Sequence, residues 1–213
     1  MHLIWFATTP AWAWALLRQC DSPAAVISAS IFMLGWALQY GFSALWHCWP
    51  WVNRSSEILA NNLDHVGIFI MIAASYMVPC FTLLSETGQY FAVGLWSFAL
   101  LGSLQTLGLM GVSRGDRRTI AACYVAQGAL VVVSAEEMAR KFTTVEMQWA
   151  LLSLTQYALC ALVYAFKRPD LLPLHWGYHE CFHFLVCTGS VCTYLTHFNI
   201  VSRLAGQTAA LGQ

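Results

Sequence analysis

Charged side chains are scarce in this sequence. Lys, Arg, Asp and Glu together make up 9% of 213 residues, whereas a soluble globular domain carries about 25%. That deficit excludes an ordinary water-facing surface. Neither sign of charge is in excess, since ten Lys and Arg balance ten Asp and Glu. There is accordingly no basic face for nucleic acid, and no nucleic-acid-binding motif is present. The eight cysteines, at 20, 48, 80, 123, 160, 181, 187 and 192, form no CxxC pair. A zinc ribbon and a secreted disulfide framework are both unsupported, and the thiols are expected to pack as small buried hydrophobes. The N-terminal Met1-His2-Leu3-Ile4-Trp5-Phe6 has no basic stretch of the kind a cleavable signal peptide carries. Ala11-Trp12-Ala13 imitates a cleavage site, but the first apolar run reads as an uncleaved helix.

Apolar residues are what the chain has in quantity: 59% of it is hydrophobic, with ten tryptophans. An integral membrane protein is expected, all-α, a seven-transmembrane helical bundle in one domain over residues 1–213. The spans are placed at roughly 2–17, 24–47, 64–84, 90–112, 119–135, 147–166 and 174–198. Turn-forming clusters separate them: Asp21-Ser22-Pro23, Pro50 through Ser56, Ser85-Glu86-Thr87-Gly88, Ser113-Arg114-Gly115-Asp116 and Lys167-Arg168-Pro169-Asp170. With the N-terminus cytoplasmic, inner segments hold Arg54, Arg114, Arg117, Arg118, Lys167 and Arg168, and outer segments hold Arg18, Arg140, Lys141 and Arg203. The excess of basic residues inside favours that orientation. Trp46, Trp49, Trp51 and Trp176 then gather at the inner ends of spans 2 and 7, as an interfacial belt does.

Four residues that a bilayer tolerates poorly, His47, Asp64, His179 and His183, stand at span ends on this same side. His179 and His183 are four apart, so a helix puts them on one face where both can grip one metal ion. His47 supplies a third imidazole from span 2. Asp64 is placed either as a direct ligand or as the group that holds and deprotonates a metal-held water. Three imidazoles favour zinc. His65 points about 100° away from Asp64 and does not face the same ion. His175 extends the His179 stripe as an entrance group, while His197 and His2 are read as structural or interfacial. His179-Glu180-Cys181-Phe182-His183 is also a literal H-E-x-x-H, which in metalloproteases pairs two zinc ligands with a Glu base. In that alternative Glu180 activates water and Asp64 is the third ligand.

Ser43-Ala44-Leu45-Trp46-His47, followed by Leu63-Asp64-His65-Val66-Gly67-Ile68-Phe69, Ala73-Ala74-Ser75-Tyr76 and Pro79, resembles the first signature of the hemolysin III family. Tyr164-Ala165-Phe166-Lys167-Arg168-Pro169, then His179-x-x-x-His183 and Gly189, resembles the second. That family is the bacterial branch of the progestin and adipoQ receptors, within a superfamily that includes alkaline ceramidases. The likeness covers spans 2, 3, 6 and 7, a little over half the chain. It implies a bacterial inner (plasma) membrane location with a cytoplasmic N-terminus, and zinc bound by His47, His179 and His183. It further implies that Asp64 contacts the water and that Ser43, one turn before His47, supports catalysis. The family does not require a catalytic residue at Glu180. Departures are Trp46 in place of a tyrosine or phenylalanine, Cys160 in place of a glycine, and a short N-terminal region.

The expected function is zinc-dependent hydrolysis of an amide or ester in a membrane lipid, ceramide-like, reached laterally through the bilayer. The alternative is a receptor-like sensor or regulator of membrane state in which zinc staples spans 2, 3 and 7. A haemolytic pore is disfavoured because no polar stripe runs through several spans. Bis-His haem ligation is disfavoured because an i, i+4 pair suits a small ion. A lipid is the expected partner, nucleic acid is not, and the sequence leaves self-association open.

Overall fold

The computed structural model describes residues 1–111, 117–171 and 176–211, and they form an all-helical bundle. The helices are α1 His2–Leu17, α2 Pro23–Cys48, α3 Arg54–Ala74, α4 Met77–Thr82, α5 Glu86–Thr106, α6 Arg117–Ala129, α7 Ala135–Lys141, α8 Thr144–Phe166 and α9 Tyr178–Leu211. A single 3-10 turn, Leu130–Val133, joins α6 to α7. Among the described residues, taking α3 with α4, and α6 with α7, as single passes leaves seven rods, roughly consistent with the seven expected spans. By length and hydropathy, α2, α3 with α4, α8 and α9 can each cross a bilayer. The pair α6 and α7 meets the same measure jointly, bent by 60° between its halves. α1 is 16 residues long. In α5, Thr87, Gln89, Ser97, Ser103 and Gln105 dilute the apolar content. Leu34, Leu100, Leu101, Leu151 and Leu162 are outward and exposed, the surface a hydrocarbon solvent accepts and water does not.

Local chemistry explains most boundaries. Ser22 caps α2 by accepting the Ala25 N–H, with Pro23 in the first turn where its missing N–H costs nothing. Thr143 and Glu146 form a reciprocal capping box at the start of α8. α3 begins ten residues before the expected span, because Asn53 caps it through the Ser55 N–H at 2.8 Å. An Arg54–Glu57 pair at 2.7 Å spans its first turn. Asp64 is therefore well inside a continuous helix rather than at its mouth. α9 runs to Leu211, beyond the expected end at 198. The predicted break at Ser113 through Asp116, Arg114 within it, and His175 lie outside the described residues.

The core seam runs along α2, where Phe32, Trp36 and Tyr40 are fully buried against Leu16, Tyr194 and Ile200. Two glycines let α2 and α3 approach backbone to backbone. A Cβ on Gly67 would lie 3.0 Å from the Gln39 Cα, and one on Gly35 would lie 2.6 Å from the Ala74 Cβ. That contact sets His47 of α2 beside Asp64 of α3. Polar groups join α8 to α9: Ser153 Oγ lies 2.6 Å from Thr193 Oγ1, and Tyr157 Oη 3.0 Å from Ser190 Oγ. At the far end, buried Glu146 receives Arg203 through two bonds of 2.8 and 3.1 Å. All eight cysteines are free thiols and five are buried.

The α3–α4 break has a specific cause. Pro79 has no N–H, so the Ser75 carbonyl four residues earlier loses its intrahelical donor. His197 of α9 replaces it, its Nε2–H donating to Ser75 O at 2.9 Å. A freed backbone group within a membrane is satisfied by a neighbouring helix in just this manner. Replacing His197→Leu orphans the carbonyl, and we expect a loss of about 1–3 kcal/mol. Thermal unfolding in detergent measures it; an unchanged midpoint would refute this role.

Candidate metal centre

The site is assembled from α2, α3 and α9. Glu180 Oε2 accepts the Gly177 N–H at 2.9 Å and so secures the start of α9. One residue before and three after it, His179 and His183 share a helix face with their Nε2 atoms 2.9 Å apart. His47 comes one residue before the end of α2. Its ring centroid is 5.0 Å from that of His179 and 5.1 Å from that of His183. One nitrogen from each of the three rings lies within 4.8 Å of the others. Asp64 Oδ2 is 4.0 Å from His47 Nε2, too long for a hydrogen bond and a gap that one water bridges. The Asp64 side chain is 18% exposed and that of His47 34%. Ser43, buried one turn before His47, approaches the Asp64 carboxylate. Among the described residues its hydroxyl closes no hydrogen bond of normal geometry.

The three imidazoles suit a metal ion. Tetrahedral bonds of roughly 2.0–2.1 Å hold two nitrogens about 3.4 Å apart. The His179–His183 separation of 2.9 Å needs to open by about half an ångström to meet that value. The His47 ring needs to turn inward. The cluster offers three nitrogens, with the Asp64 carboxylate nearby but outside it.

The three rings and Asp64 form one side of a cavity of about 490 Å³. His65, Tyr124, Tyr164 and Arg117 also line it. His65 Nδ1 lies 2.8 Å from Tyr124 Oη, so this ring is engaged with α6 and not with the three clustered imidazoles. Arg117 donates to Tyr178 Oη at 2.8 Å, with its guanidinium over the Tyr164 ring at 5.5 Å. The sequence alone presents Arg117 as a loop charge, because its neighbours at the cavity come from α8 and α9.

His2, expected to be structural or interfacial, lies beside the cluster. It is buried, and its ring centroid is 4.1 Å from that of His183. A signal existed: the first residues of span 1 fall at the same depth as the end of span 2 and the start of span 7. Glu180, the candidate base of the H-E-x-x-H alternative, is occupied with the Gly177 N–H. His197 is structural, as expected.

The sequence model of a family described as haemolysin-III related matches residues 1–194 of this chain.

Proposed function

The chain belongs to the haemolysin-III related family, and from that premise we propose that it is a zinc-dependent hydrolase of a lipid amide or ester, ceramide-like in its reacting group. It resides in the bacterial inner membrane with its N-terminus cytoplasmic. The observation that carries this reading is the convergence of His47, His179 and His183 nitrogens within 4.8 Å on the wall of a cavity. When bound, zinc supplies Lewis-acid polarisation of a carbonyl and acidifies water.

The protein's own groups do the rest. His179 and His183 present two nitrogens from one rigid frame, and His47 adds the third. Asp64 accepts the proton of the attacking water at Oδ2 and returns it to the departing amine or alkoxide. Ser43, buried beside that carboxylate, turns its unpartnered hydroxyl onto it in the working site and keeps it aimed at the His47 side. Ile68, Ile120 and Phe182 give the cavity apolar walls that hold acyl carbon and exclude bulk water. Arg117 and the tyrosines give the cavity its polar lining away from the three imidazoles.

Asp64→Asn separates this reading from a sensor with structural zinc. In lipid nanodiscs containing a ceramide-like amide, we expect wild-type turnover that a chelator stops and zinc restores. The variant keeps its metal and loses turnover by about 100- to 10,000-fold, the range of a general base. Hydrolysis at the wild-type rate in the variant removes the mechanism. No hydrolysis of amide or ester lipids by the zinc-loaded wild type favours the sensor.

A further inference from the structure

Beside the three candidate ligands, a fourth imidazole is packed into the bundle. His2 is 8% exposed. Its ring meets His183 edge-on, with centroids 4.1 Å apart at 81°, and meets Tyr40 at 5.0 Å. Neither nitrogen of His2 has a hydrogen-bond partner among the described residues, and neither does Nδ1 of His183. Three buried ring nitrogens without partners, on two rings in contact, are costly to keep. That cost is offset if the two rings pair in one state of the protein.

The metal-loaded state supplies the reason to pair. His183 turns Nε2 toward His179, so Nε2 is its ligating atom and Nδ1 carries the proton. A ligating histidine nearly always gives its second N–H to an acceptor, which fixes the tautomer and the ring angle. Among the described residues no carboxylate, carbonyl or hydroxyl takes this N–H. We propose that His2 is the positioning residue of this centre, accepting the Nδ1–H of His183 and so holding its Nε2 on the ion. The inference rests on the metal-centre reading above and adds α1 to the helices that build the site.

Co²⁺ uptake by the full-length protein in detergent tests it without reference to turnover. Wild type, His2→Phe and His2→Asn are titrated with Co²⁺ against a competing chelator, following the visible bands of the tetrahedral ion. We expect His2→Phe to bind Co²⁺ about 10- to 100-fold more weakly. The thermal midpoint of the metal-free variant should hold or rise, because a partnerless buried imidazole gives way to a ring that needs no partner. His2→Asn, which keeps an acceptor, should recover most of the affinity. Wild-type Co²⁺ affinity in His2→Phe overturns the proposal. So does a metal-free midpoint that falls in step with affinity, which marks a packing role. Absence of Co²⁺ uptake by the wild type overturns the metal centre itself, and the role of His2 with it.

Discussion

In His179→Ala protein, zinc measured by elemental analysis falls from about one ion per chain to background, while the helix content stays that of the wild type. The expectation follows from how the three nitrogens are held. His179 and His183 are fixed one turn apart on α9, with Nε2 atoms already 2.9 Å apart, so little ordering cost remains when an ion arrives. His47 comes from another helix and must adjust. Removing His179 destroys the prearranged pair and leaves two imidazoles from two helices, one short of the three protein ligands a catalytic zinc requires. Loss of an outer partner of a ligand costs about 10- to 100-fold in metal affinity, and loss of the ligand itself exceeds that. His65→Ala is the matched control, because that ring bonds Tyr124 and lies outside the imidazole cluster. Zinc retained in His179→Ala, or lost equally from His65→Ala, would contradict the assignment.

Arg203→Met is expected to be the most destabilising single substitution discussed. Glu146 has a side chain only 1% exposed, and Arg203 grips both of its oxygens. Removing the guanidinium leaves a buried carboxylate with, among the described residues, only the Thr143 N–H at 2.8 Å, a situation that costs about 3–5 kcal/mol. The thermal midpoint in detergent should fall by roughly 10 °C. Adding Glu146→Gln removes the stranded charge while keeping an acceptor for Thr143, so the double variant should recover a substantial part of the loss. Recovery identifies the uncompensated carboxylate as the cause; a double variant no better than Arg203→Met shows that the lost contact was packing. Added salt should change little, because Glu146 is shielded from solvent ions.

The parts of this protein that were readable from sequence are those governed by spacing along one helix. His179 and His183 declare a shared face by their separation alone, and Ser22-Pro23 marks a helix start by capping chemistry. Long apolar runs likewise announce the spans. Arg54 through Asp64 defeats that logic, because Arg, Glu and two Asn read as a loop although Asn53 caps a helix there. The last residues of α9 fail for the same reason: Asn199, Ser202, Arg203 and Gln207 look like an exit from the membrane, yet the Glu146 pair and continued helical bonds carry the rod onward. Contacts between distant helices leave no trace in local spacing. His2 meets His183 only because α1 packs on α2 and reaches α9, and Arg117 meets Tyr178 only where α6 meets α9.

α9 is 34 residues long, about 51 Å at 1.5 Å per residue, whereas the hydrocarbon layer is about 30 Å thick. The His183 and Arg203 side chains are about 30 Å apart along it, a separation equal to that thickness, and eight further described residues follow Arg203 in the same helix. A reporter domain joined in helical register to that rod would inherit its tilt instead of swinging on a flexible tether. Orientation of such a fusion, read by electron microscopy or by fluorescence anisotropy, would follow any movement of the helix that carries two of the three imidazoles.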